Sequence, residues 1–254
     1  MSVLDSFRLN GKTALVTGGG RGLGAAAAHA LSEAGAAVVI VGRTRDSLEK
    51  TTAEIVGRGR ECSGHVLNVT EPQRVREVFA DIARSHGGID ILLNNAGVEH
   101  QSPAVDMSES DLARVMNVNL SGTFYCAQSF ARLPGRPGRS IINFSSIAAR
   151  NGIPGQSAYS ASKGAVESLT RGLALEMASD GIRVNALAPG YFRTDMPAAV
   201  IADPVAERRL LGKVPLRRLA DPEEVGPAVV FLASAASGFM TGAVLDFDGG
   251  YTAR

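Results

Sequence analysis

Seven short apolar runs alternate with helix-length windows along the whole chain, and that alternation leaves few folds open. The runs are Lys12–Thr17, Ala37–Gly42, Glu61–Leu67, Ile89–Leu93, Ser140–Phe144, Ile182–Leu187 and Ala243–Phe247. They are rich in Val, Ile and Leu with little polar alternation, as strands buried on both faces should be. The windows between them carry helix punctuation. Asp221-Pro-Glu-Glu224 sets a cap, a first-turn proline and two acids in order; Thr70-Glu-Pro72 and Ser108-Glu-Ser-Asp111 resemble helix starts; Gly35, Gly57 and Gly181 fall at expected stops. This spacing predicts an α/β protein: a doubly wound parallel sheet of about seven strands with helices on both faces. A chain of 254 residues fits that architecture as one domain, and no repeat, linker or low-complexity run marks a boundary.

Charge and cysteine content narrow the function. A net charge of +1, with the 20% charged residues evenly spread, leaves no footprint for nucleic acid or an anionic membrane. Cys62 and Cys126 lie far apart without CxxC spacing. Buried thiols in a reducing cytoplasm are expected, with no disulfide framework and no metal site. Residues Met1 to Asn10 lack the apolar core of a signal peptide. Val225–Leu245 carries no charge over a membrane-length span, but Pro227 and Ser234-Ala-Ala-Ser-Gly238 interrupt it. It reads as a buried helix, a loop and a buried strand.

Directly after the first strand comes Thr17-Gly-Gly-Gly-Arg-Gly-Leu-Gly24, followed by the alanine-rich helix Ala25–Gly35. A strand that turns tightly into a helix, and a backbone that must approach a pyrophosphate, both call for glycine. The helix start then offers unpaired N–H groups and the positive end of its dipole to phosphate. Gly18, Gly22 and Gly24 give GxxxGxG; read from Gly20, a GxGxxA pattern also fits loosely.

These residues belong to a larger set. Thr17–Gly24 reads TGxxxGxG, Asn94-Asn-Ala-Gly97 reads NNAG, Tyr159-Ser-Ala-Ser-Lys163 reads YxxxK with Ser146 13 residues before the tyrosine, Pro189-Gly190 with Thr194 reads PGxxxT, and Asp248-Gly-Gly250 reads DGG. Over essentially its whole length the chain resembles the short-chain dehydrogenase/reductase family. The resemblance implies a single Rossmann-type sheet, residues 1–254 as one dinucleotide-binding and catalytic domain, and assembly into tetramers or dimers. It implies Tyr159 as general acid/base, Lys163 as its pKa-lowering partner, Ser146 as orienter of the carbonyl oxygen, and Asn119, preferred over Asn117, as a water-holding relay. It implies a cofactor site at Gly18, Arg21, Gly22, Leu23, Gly24, Arg43, Asn68, Val69, Asn95, Gly97, Tyr159, Lys163, Pro189, Gly190 and Thr194. Asn68 stands where the family usually has Asp against adenine.

Elementary chemistry agrees. Tyr159 and Lys163, four apart on a helix, share a face. A free phenol titrates near pH ~10, too high for proton transfer at neutrality, and a nearby ammonium would lower it. Ser146, just past a strand end, reaches the carboxyl edge of the sheet, where such folds bind ligands. An NAD-specific site needs a carboxylate at the end of strand two. Gly42 stands there instead, followed by Arg43-Thr44-Arg45, while Asp46 opens the next helix, Asp46–Val56. Arg43, with Arg21, suits a 2′-phosphate, so NADP(H) is expected over NAD(H).

Two other classes compete. Ser160-Ala-Ser-Lys163 is formally an SxxK acyl-enzyme motif, but SDN, KTG and GxSxG elements are missing and the glycine loop would be idle. A non-catalytic dinucleotide sensor would not need Asn119, Ser146, Tyr159 and Lys163 together. The substrate is expected to be a small carbonyl or alcohol compound under a cover at about 191–214. That cover holds Met196, Pro197, Ile201 and Leu210 beside Arg193, Arg208 and Arg209, a mixture compatible with sugar acids, ketoacyl thioesters or hydrophobic ketones. Glu99 and His100 are candidates for the rim.

Overall fold

The computed structural model describes residues 2–135, 137–194 and 203–253. Seven strands form one parallel sheet in the order β3-β2-β1-β4-β5-β6-β7. They are β1 Thr13–Thr17, β2 Ala37–Gly42, β3 Cys62–Val66, β4 Ile91–Asn94, β5 Arg139–Phe144, β6 Ile182–Pro189 and β7 Val244–Phe247. The order reverses between β1 and β4, paired in register from Ala14↔Ile91 to Thr17↔Asn94. That reversal opens a crevice at the carboxyl ends of the strands.

The helices are α1 Gly22–Glu33, α2 Arg45–Gly57, α3 Pro72–His86, α4 Glu109–Met116, α5 Gly122–Arg132, α6 Ser157–Glu176, α7 Pro204–Leu211 and α8 Val225–Ala233. Alternate strand residues face opposite layers. Ala14, Val16, Val38 and Ile40 pack against α1, α2 and α8 on one face. Leu15, Val39, Leu92 and Ile141 pack against α3, α5 and α6 on the other. Buried strands of this kind need apolar residues in both phases, which is why the sequence shows runs.

The expectation of two-sided burial fails at the two edges. β3, reading CSGHV, is half-buried at its start and exposed from Gly64 to Val66. β7 is half-buried except at Asp246, which is exposed. An edge strand has one neighbour, so fewer apolar side chains are recruited to cover it. Helix starts follow the sequence closely. Ser108 caps α4 by accepting from Asp111 N–H, and Asp221 with Glu224 forms a reciprocal capping box ahead of α8. Gly57 is the last residue of α2 rather than its stop; Gly59 takes the left-handed turn, at φ 73°.

Candidate active site

Two turns meet at the crevice. Thr17, the last residue of β1, accepts the backbone N–H groups of Asn95 (3.1 Å) and Ala96 (3.0 Å) through its hydroxyl oxygen. In return the Asn95 amide donates to the carbonyls of Thr17 (3.0 Å) and Gly18 (3.1 Å). The glycine turn and the turn after β4 are therefore fastened into one piece. Gly18 has φ +67°, and a Cβ there would strike the Asn95 amide at 2.8 Å; at Gly24 a Cβ would lie 2.2 Å from the Gly18 carbonyl oxygen. Gly22 differs. With φ +54°, its absent side chain would stand in open space with only the Thr194 methyl at 3.9 Å. Arg21 caps α1 without any side-chain hydrogen bond to the helix, and no acid occupies the first turn. The first N–H groups of α1 thus face a glycine-lined cradle with no acid of the helix's own first turn beside them. This is what a pyrophosphate requires.

The second half of the site is built where α4 passes into α5. Residues Asn117–Ser121 form a π turn, one residue wider per hydrogen bond than the α-helix. It turns Asn119 inward, fully buried, while Asn117 stays exposed. Asn119 accepts from the Val98 N–H (2.8 Å) and donates to the Val98 carbonyl (2.9 Å) and Ser162 hydroxyl (2.9 Å). A Cβ on Gly97 would lie 3.3 Å from Asn119 Oδ1 and 3.6 Å from Lys163 Nζ. Glycine here leaves free the space that both polar groups border.

Lys163 and Tyr159 share one face of α6, as their spacing predicts. Lys163 is buried and its ammonium donates to the Phe144 carbonyl at 2.7 Å, the end of β5. Burial lowers its pKa to about 8. The ammonium stands 5.8 Å from the centre of the Tyr159 ring. The expected lowering of the tyrosine is not seen: burial pushes the phenol up to about 12, a hydrogen bond with Ser146 offsets part of this, and the Glu99 carboxylate adds to it. Burial is the largest cause, and it outweighs the Ser146 hydrogen bond. Ser146 follows β5, half-buried, and its oxygen accepts from Ala148 N–H at 3.2 Å. Ser160, the serine of the formal SxxK, has a buried hydroxyl with no hydrogen-bond partner among the described residues. Nothing there activates it as a nucleophile.

The remaining expected positions surround this centre. Leu23 packs on the core beside the glycine turn. Gly42 ends β2 and Arg43 is exposed beyond it. The Asn68 carboxamide accepts from Thr70 N–H (3.2 Å) and donates to Glu71 (2.9 Å), shaping the entry to α3. Val69 is buried, and a Cβ on Gly122 would meet it at 2.6 Å. Pro189 ends β6, and Gly190 lies so close to Asp248 that a Cβ would meet its Cα at 2.6 Å. The Asp248 carboxylate accepts from Gly250 N–H and Thr252 N–H, both at 2.8 Å, so DGG builds a turn and offers no free acid. Of the expected cover, Met196, Pro197 and Ile201 lie outside the described residues; Leu210, Arg208 and Arg209 lie on α7. Glu99 does reach the site, whereas His100 turns to Asp111 and Arg114 on α4. Sequence reasoning missed the fastening role of Thr17, the amide that Gln156 donates to Glu99, and the packing of Tyr251 on Tyr191, the first residue of the expected cover. Only the place of Thr17 at a strand end could have signalled it.

A glycine-lined cradle joined to a Tyr–Lys–Ser group, with the lysine buried beneath it, suits an oxidoreductase that uses a nicotinamide dinucleotide. Relatives agree. An enoyl-(acyl carrier protein) reductase family model matches residues 18–252. Galactitol 2-dehydrogenase of Rhizobium johnstonii is 41% identical over 256 residues, covering 99% of each chain. Gluconate 5-dehydrogenase of Gluconobacter oxydans is 39% identical over 254 residues, again with 99% of each covered. The crystal structure of a gluconate 5-dehydrogenase from Burkholderia cenocepacia in complex with NADP and tartrate superposes with a TM-score of 0.95 at 38% identity over 100% of both chains. The chain belongs to the short-chain dehydrogenase/reductase family. It is an NAD(P)-dependent oxidoreductase that transfers a hydride between the nicotinamide cofactor and a carbonyl or secondary alcohol.

Proposed function

We propose that this enzyme is an NADP(H)-preferring dehydrogenase of small polyhydroxylated substrates, polyols or sugar acids, with Tyr159 as its general acid/base. The observation that carries the reading is the convergence of Tyr159, Ser146 and Lys163 beside Gly97, at the strand edge where the glycine cradle also opens. The cradle at Gly18, Arg21, Gly22, Leu23 and Gly24 would hold the pyrophosphate, with Asn68 and Val69 toward the adenine. Asn95, Gly97, Pro189, Gly190 and Thr194 would line the path to the nicotinamide. Bound there, the nicotinamide supplies or accepts the electron pair of the redox step.

The protein's own groups do the rest. Ser146 orients the substrate oxygen. The Tyr159 phenol, protonated across the neutral range, gives its proton to the oxygen of a carbonyl being reduced and takes it back from an alcohol. Lys163 keeps positive charge close to the ring, and the space that it shares with Asn119 at Gly97 suits a water that passes the proton onward. Residues 1–254 act as one unit. Two relatives are named for galactitol and gluconate, and a third binds NADP, which supports this substrate class and cofactor.

Assembly is part of the reading. Phe239 is fully exposed within the uncharged Val225–Leu245, and the half-buried β7 adjoins it. A homotetramer or homodimer that covers this region in the cytoplasm accounts for both. The test is turnover of galactitol and gluconate with NADP+ by the purified protein, followed by absorbance of the reduced nicotinamide. Turnover of neither, alongside turnover of a ketoacyl thioester, would overturn the substrate class.

A further inference from the structure

Resting on the polyhydroxylated-substrate reading above, we propose that Glu99 selects the substrate by charge: its carboxylate accepts hydrogen bonds from the hydroxyls of a neutral polyol and repels a substrate that carries a carboxylate of its own. The residue is held in place by its surroundings. Its neighbour Val98 is gripped at both N–H and C=O by Asn119. Ser102 N–H donates to the Gly155 carbonyl at 2.9 Å, which ties the loop after Glu99 to the start of α6. Gln156, three residues before Tyr159, donates its amide to Glu99 Oε1. The carboxylate therefore lies between the catalytic helix and the turn after β4.

Its charge is felt at the reacting centre, where it raises the phenols of both Tyr159 and Tyr191. Tyr191 in turn packs edge-on against Tyr251, with ring centres 5.5 Å apart. Glu99 is half-buried, and no cation pairs with it among the described residues; the adjacent His100 is turned to Asp111, with Arg114 also on that side. A carboxylate with two oxygens and one amide donor retains accepting capacity. Substrate hydroxyls can fill it, and a second carboxylate cannot. Placing an uncompensated like charge against the wrong substrate is the repulsive half of specificity.

The test uses one carbon skeleton with three end groups, two neutral and one anionic: galactitol, galactonamide and galactonate. Wild-type enzyme with NADP+ should show kcat/KM for galactonate at least about tenfold below that for galactonamide, a difference of ~1.4 kcal/mol. Glu99→Gln should remove most of that gap, mainly by lowering KM for galactonate, and Glu99→Lys should invert it. A gap unchanged in both folded variants, or wild-type preference for galactonate, overturns the assignment of Glu99 and leaves the polyhydroxylated class standing. Failure to turn over all three compounds overturns both.

Discussion

Replacing Gly42 by Asp should convert the enzyme from NADPH to NADH preference, and the structure indicates why the experiment is clean. Gly42 ends β2 with ordinary extended backbone, and a Cβ there would meet only Leu48, at 3.5 Å and 3.9 Å, which is normal van der Waals contact. The carboxylate can therefore be added without distorting the sheet. It would lie where an adenosine ribose hydroxyl can donate to it and a 2′-phosphate cannot approach. In the unmodified enzyme, Arg43 is the group next to that position and is exposed, with no ion pair among the described residues. A charge-assisted hydrogen bond contributes about 1.5–3 kcal/mol. That range corresponds to a preference for NADPH of roughly ten- to a hundredfold, and exposure to solvent places Arg43 toward the tenfold end. Arg43→Ala should lose most of it, and Gly42→Asp should reverse it. The assay is kcat/KM for the two reduced cofactors with one saturating carbonyl substrate, alongside melting temperature. Equal or better kinetics with NADH in the unmodified protein would refute the argument.

Other outcomes follow from the same geometry. Tyr159→Phe removes the transferable proton and keeps the ring, so turnover should fall at least ~10²-fold while cofactor affinity, read by fluorescence titration, barely changes. Because burial raises the Tyr159 phenol to about 12, kcat/KM for alcohol oxidation should climb with pH through the alkaline range, whereas carbonyl reduction stays level around neutrality; a flat oxidation profile would contradict this. Lys163 falls from 10.5 to about 8 on folding, so the unfolded chain binds more protons between those values and stability should rise with pH across them, by at most ~3 kcal/mol. Lys163→Met should lose that pH dependence in denaturant titrations. Phe239→Glu should lower the mass seen by light scattering if the uncharged segment lies between subunits, and a monomeric wild-type protein at micromolar concentration would refute that arrangement.

Much of this was legible in the sequence because its signals are local. The glycines of residues 18–24 are dictated by a backbone turn, and the Tyr159–Lys163 spacing by one turn of helix. What escaped notice depends on non-local neighbours. The π turn at Asn117–Ser121 has no compositional marker, so sequence favoured Asn119 over Asn117 without explaining why only Asn119 is buried. The upward shift of Tyr159 comes first from burial, then from Ser146 and Glu99, none of which is visible in its four-residue spacing to Lys163. The edge strands were over-read as buried because Val, Ile and Leu content does not reveal how many neighbours a strand has. Sequence offers Glu99 and His100 alike as rim candidates; only the amide of Gln156, 57 positions away, singles out Glu99.

The grip of Asn119 on Val98 has one more consequence, which concerns how such an enzyme can change. Two hydrogen bonds fix the peptide units on either side of Val98 to a buried carboxamide. Movement or substitution at position 99 is thereby insulated from Gly97 and from the lysine beside it. Selectivity and chemistry occupy neighbouring positions in the chain, yet a mechanical break separates them. A lineage, or an engineer, can exchange residue 99 for another charge and redirect the catalyst to new compounds while the proton-transfer geometry remains intact.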